Sequence, residues 1–296
     1  MESPVEISPD KWTDKWSIVL RICFFIATVF VGVDLLTPML YWLFGLLVAG
    51  TVGLCATGLL ANVLTMKIFD RRTFSDIGLK SGVLSGWHLA LGLAFGGGCA
   101  ALMLLVPLLA GTAHFVPKPH SEFNWVSLLF YMATLFIAAA GEELIFRGYA
   151  FQILIEKLGP YAALLPVAVV FGLTHSANPH ATLLGLFNTA LWGVILGYAF
   201  LRSHDLWLPI GLHFGWNAVL PLFGVNLSGL TIDVTRYNYQ WDLLPLWSGG
   251  AYGPEGGLLT TIFAVALLVA LVKTPIKART AYIAVSLNEV DPLALS

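Results

Sequence analysis

The segment Gly141-Glu142-Glu143-Leu144-Ile145-Phe146-Arg147-Gly148 puts two adjacent carboxylates and a guanidinium directly after an apolar run, Trp125 to Ala140. Charges at such depth in a bilayer are costly and usually face a protected, often functional interior. Further along the chain come Phe171 with His175, then His213 with Asn217, and each pair is four residues apart, as are Glu143 and Arg147. That spacing puts each pair on one helix face. A carboxylate or an imidazole can take a proton from water. A His and an Asn one turn apart can both donate to one developing oxyanion. Singly, each pair is also what a membrane helix uses to bond to its neighbour. Three such clusters in succession point to chemistry.

These side chains need helices to hold them. With 58% hydrophobic and 11% charged residues, the composition is that of a membrane protein. Apolar segments fit eight predicted spans, about 17–36, 38–63, 86–110, 124–150, 160–176, 181–201, 205–223 and 257–273. The expected fold is therefore all-α and polytopic, a single membrane domain over 17–273 between tails at 1–16 and 274–296. The turn Leu158-Gly159-Pro160 closes an antiparallel hairpin in which Glu142 and His175 are equidistant from the turn, roughly 24 Å along their helices. They can therefore face each other. The turn at Ser203-His204-Asp205 brings His213 and Asn217 level with Leu196 and Trp192, beside Gly193 and Gly197. Small residues at that spacing allow close helix approach. Asn188 reads as an interhelical hydrogen-bond donor.

Placing both termini in the cytoplasm puts all of the 15 Lys and Arg residues except Lys118 and Arg236 within or beside cytoplasmic segments. An integral protein of the cell membrane is expected. The acid-rich start has no basic region leading into a short apolar core, which argues against a removed signal peptide. Cys23, Cys55 and Cys99 lie in apolar spans and read as small core residues. The 224–256 loop, rich in Gly, Tyr and Trp, suits an interfacial aromatic belt. His114 and His120 are expected in a solvated loop. Residues 67–80 read as an interfacial segment. No nucleic-acid partner is expected.

The ordered set Glu142-Glu143-x-x-x-Arg147, Phe171-x-x-x-His175 and His213-x-x-x-Asn217 resembles the CAAX-protease and bacteriocin-processing family of intramembrane proteases, also called the Abi or type II CAAX prenyl endopeptidase family. Gly193 and Gly197 after Phe187 are similar to its intervening motif. The resemblance implies an eight-helix protease with a polar cavity. In it Glu142 is the base, His175 its partner, and His213 with Asn217 the oxyanion donors, while Glu143 and Arg147 form an orienting ion pair. It implies a membrane-associated protein or peptide substrate, whose lipidation the sequence leaves open, and no required cofactor.

Two other readings stand beside this one. Glu142, His175 and His213 could instead ligate zinc, although the chain has no His-Glu-x-x-His pattern. The polar core could also serve a proton or ion path, or an immunity factor without catalysis.

Overall fold

The computed structural model describes residues 15–119 and 123–279, which are mostly α-helical. Most of both predicted tails, and His120, lie outside these residues. Among the described residues, five helical stretches, two of them broken, are long and apolar enough to cross a membrane: Trp16–Asp70, Val83–Leu109, Trp125–Leu158, Pro160–Ala177 and Leu183–Ser203. The architecture is that of a polytopic helical membrane protein.

The first helix, α1 (Lys15–Thr65), breaks at Gly45, where φ is 80° and ψ 175°. Only glycine takes that conformation without steric cost. The two arms fold back on each other. A Cβ on Gly32 would lie 2.7 Å from Thr57, and one on Gly53 would lie 3.3 Å from Thr37. The turn expected near 37 is thus at Gly45, and Pro38 sits within the first arm. A single π turn, Met66–Asp70, ends the second arm. There Asp70 accepts from Arg21 at 2.5 Å and from Tyr149.

Next come α2 (Val83–Leu109), strand β1 (Ala113–Pro117), α3 (Trp125–Phe146), α4 (Tyr149–Leu158), α5 (Pro160–Thr174), α6 (Leu183–Ser203) and α7 (Trp207–Leu222). The chain closes with β2 (Tyr237–Trp241), α8 (Pro245–Ser248) and α9 (Leu258–Lys273). One end of the bundle holds the start of α1, the π turn, the α4–α5 and α6–α7 turns and the end of α9; we call it the near end. The far end holds the Gly45 turn, the β1–β2 sheet and the start of α3. The loop expected as a belt is folded. β2 pairs antiparallel with β1, with Phe115 opposite Tyr239, and Val225, Leu227, Ile232, Val234, Tyr239 and Tyr252 are buried. Burial pushes the Tyr239 hydroxyl up to about 12, and it donates to Leu104 O at 2.5 Å.

The closest helix pair is α2 with α7, which run parallel. Gly92, Gly96 and Gly97 of α2 face Gly211, Leu212 and Gly215 of α7, and a Cβ on Gly215 would meet Gly97 N at 2.8 Å. Backbone contact at this range needs glycine on both helices. It fixes the height of α7, and with it His213 and Asn217.

At the near end, Asp205 ties α7 to its neighbours. Its carboxylate accepts from Trp207 N (2.9 Å) and Ser85 Oγ (3.0 Å), with His88 Nδ1 at 3.1 Å and Arg279 Nη1 at 3.4 Å. The backbone of Arg279 donates to Ser203 O at 2.9 Å. The stretch 274–279, expected as tail, therefore returns onto the α6–α7 turn.

Candidate active site

The predicted span 124–150 is essentially α3, which ends at a break at Arg147-Gly148 directly after the charged cluster, and α4 continues beyond it. A break leaves backbone groups without helical partners, and buried ones must be satisfied. Asn62 of α1 does this. Its Nδ2 donates to Leu144 O at 2.9 Å, and its Oδ1 accepts from Tyr149 N at 2.8 Å. Gln152 donates to Arg147 O at 3.0 Å and to Ile77 O at 2.9 Å. A Cβ on Gly148 would run into Asn62. Sequence reasoning passed over Asn62 and Gln152. The signal was there, since Asn62 is a lone amide in an apolar run.

Glu143 and Arg147 are both fully buried and pair along the helix, Nη1 to Oε1 at 3.1 Å. Arg147 Nη2 also donates to Gly193 O of α6 at 3.0 Å, and its guanidinium lies 4.6 Å from the Phe171 ring centroid. Phe171 is a hub. Its ring is 5.1 Å from that of His175 and 6.1 Å from that of His213. The helices α3, α5, α6 and α7 thus meet around one aromatic ring.

His213 lies between the two carboxylates. Its Nδ1 is 2.9 Å from Glu143 Oε1, and its Nε2 is 3.8 Å from Glu142 Oε2. With Glu143 taken as ionised, Nδ1 carries the hydrogen and donates it. Among the described residues Glu142 Oε2 has no hydrogen-bond partner, although that atom is buried. An unpaired buried oxygen beside an imidazole nitrogen is a costly arrangement, and such groups recur at reactive sites.

Glu142 and His175, which the turn count allows to face each other, are not in direct polar contact among the described residues. His175 sits where α5 ends, and its Nδ1 turns back to Phe171 O at 3.0 Å. That bond orients the ring and leaves Nε2 without a hydrogen bond among the described residues. Asn217, half-buried one turn beyond His213, also makes no side-chain hydrogen bond among them.

Gly193 and Gly197 serve α5 and not α7. A Cβ on Gly193 would lie 2.8 Å from Ala168, and one on Gly197 would overlap Leu164. Asn188 bonds between segments as expected, donating to Glu255 O at 2.8 Å and Gly257 O at 2.9 Å. Glu255, unmarked by sequence reasoning, accepts from Trp216 Nε1 at 3.0 Å and from Ser228 Oγ at 2.8 Å. His114 pairs with Asp242 at an exposed position, 2.9 Å apart.

As potential metal donors, Glu142 and His213 approach each other, while His175 is held by Phe171. Among the described residues no group of three or more His, Cys, Asp or Glu side chains is arranged to hold a metal ion.

No curated protein matches the chain. Residues 123–219 match the family model described as Type II CAAX prenyl endopeptidase Rce1-like. That interval begins just before α3 and ends within α7, so it contains Glu142, Glu143, Arg147, Phe171, His175, His213 and Asn217. A CAAX-protease family domain is therefore present over this part of the chain.

Proposed function

We propose that the chain is an intramembrane endopeptidase that hydrolyses a peptide bond of a membrane-associated protein or peptide without a metal ion. The observation that carries this reading is His213 held between Glu142 and Glu143 inside the family domain. In the proposed reaction Glu142 takes a proton from water, helped by His175, and the hydroxide attacks the peptide carbonyl carbon. The carbonyl oxygen becomes an oxyanion that accepts hydrogen bonds from His213 Nε2 and Asn217 Nδ2. As the C–N bond breaks, the proton passes from Glu142 to the leaving amine. Since Nδ1–H of His213 is committed to Glu143, an Nε2–H donor means a doubly protonated ring, whose charge Glu143 faces throughout and Glu142 faces until it takes the water proton. The bundle is proposed to cross the bilayer eight times, with the near end cytoplasmic, where Lys67, Lys80, Lys157, Arg202 and Lys273 cluster.

The test compares membrane proteomes of cells carrying the wild-type chain, no chain, Glu142→Ala, His175→Ala or His213→Ala. A polypeptide cleaved in wild type and intact in the other four supports the reading. In vitro, Asn217→Ala should slow cleavage of that polypeptide about 10²–10³-fold, the usual loss for one oxyanion donor. Processing untouched by all three alanine variants would instead leave a non-catalytic membrane protein. Cleavage should persist after chelation. Stoichiometric zinc whose removal abolishes cleavage would replace the glutamate mechanism with a zinc one.

A further inference from the structure

Asp34 is the one acidic residue of the first α1 arm, which runs from Lys15 to the Gly45 turn, and its side chain is exposed. Its height follows from packing. The arm contacts Gly32–Thr57 and Thr37–Gly53 set Asp34 opposite Cys55. The Cys55 backbone in turn abuts Gly141, since a Cβ on Gly141 would lie 2.8 Å from Cys55 Cα. Asp34 is therefore level with Glu142. It lies about 16 Å below the Gly45 turn at 1.5 Å per residue. The same plane crosses the middle of α2, where Gly96 meets Leu212 beside His213. In a hydrocarbon core about 30 Å thick, this is mid-bilayer.

Asp34 also faces away from the protein. Arg21, Phe25 and Gly32 mark the buried side of the arm, and Asp34 is two residues from Gly32, on the opposite side of the helix. Its neighbours Phe30, Val31 and Leu35 are exposed at 67%, 56% and 67%. No hydrogen bond or ion pair involves Asp34 among the described residues. A carboxylate facing lipid at this depth is costly, and intramembrane charges are found paired or turned to an interior. Apolar exposure on the arm calls for nothing but lipid, whereas Asp34 calls for a donor.

We infer that this face of α1 docks a transmembrane helix of another protein that carries a Lys or Arg at mid-bilayer depth. Charge complementarity selects that occupant over a second copy of this chain. A two-fold pair of parallel arms would set Asp34 near Asp34, and like charges in a low dielectric repel strongly. Among the described residues the chain offers no exposed cation at this height. Arg147 is fully buried, and the other described Lys and Arg residues lie towards the two ends of the bundle.

The test uses the full chain, dye-labelled and reconstituted in lipid vesicles. The probes are two synthetic transmembrane peptides of Leu and Ala, one with a single central Lys and one with Leu in its place. Energy transfer should show the Lys peptide associating about tenfold more tightly than the Leu peptide. That preference should vanish in Asp34→Leu and persist in Glu142→Ala, which separates docking at α1 from attraction to the active-site carboxylates. Equal association of the two peptides, or a Lys preference that survives Asp34→Leu, would overturn the inference. So would self-association of the chain that Asp34→Leu abolishes, since it would make a second copy the occupant.

Discussion

Two neighbouring glutamates look alike in sequence and differ in burial and in partners in the fold. Glu143 is fully buried and shared between Arg147 and His213. Glu142 has a side chain 22% exposed and makes no hydrogen bond among the described residues. Neutralising Glu143 leaves the Arg147 guanidinium buried without its counter-charge, a change that costs about 3–5 kcal/mol in comparable buried pairs. Neutralising Glu142 removes no hydrogen bond and should shift stability by no more than about 0.5 kcal/mol, the range of substitutions away from such networks. Glu143→Gln is therefore expected to lower the unfolding midpoint of the purified chain sharply. Glu142→Gln should leave it near wild type while stopping cleavage. Equal destabilisation by both would show that the two residues do not divide the work of structure and chemistry.

At the scale of elements, what was legible in the sequence was what periodicity and punctuation encode. The apolar runs marked the helices, and Gly159-Pro160 marked the α4–α5 turn. The i, i+4 spacing marked the Glu143–Arg147 pair, which the fold makes at 3.1 Å. The α1 turn lies at Gly45 and not near 37, because among the described residues of α1 Gly45 alone has a positive φ. The break after α3 was hidden because its stabiliser, Asn62, lies 82 residues from Leu144. His213 was read as an oxyanion donor without its carboxylate neighbours because α7 reaches α3 only by long-range packing. That packing rests on glycines of α2 whose partners sequence alone did not reveal. Its role can be checked within one helix. A Cβ on Gly96 would overlap Leu212 O, whereas one on Gly98 would meet nothing within 4 Å. Gly96→Ala should push α7 off α2 and cost both stability and cleavage. Gly98→Ala should be neutral or slightly stabilising, because alanine is the better helix former by up to about 1 kcal/mol. Equal outcomes in the two variants, measured by thermal unfolding, would show that close approach at Gly96 does not hold α7 in place.

For the whole molecule, the consequential feature is how the far-end loop is fastened to the helices of the proposed site. Asn188 of α6 holds the Glu255 and Gly257 carbonyls, and Thr261 of α9 bonds Asn188 Oδ1 at 2.7 Å. The Glu255 carboxylate holds Trp216, whose ring lies 4.7 Å from that of Trp192. Trp216 directly precedes Asn217, so the loop grips α7 at the turn that carries the proposed oxyanion donor. Glu255 touches no reacting atom in this arrangement and acts as a positioning residue through Trp216. A double-mutant cycle separates positioning from simple support, because residues acting through a shared partner are non-additive. Glu255→Ala should lower kcat for the physiological substrate with little change in KM. In the Asn217→Ala background the same substitution should cost little more, since the group it positions is already gone. Glu255→Gln keeps an acceptor for Trp216 and should recover part of the lost rate. Losses that multiply across the two sites would mean that Glu255 supports the fold at large and leaves Asn217 where it was.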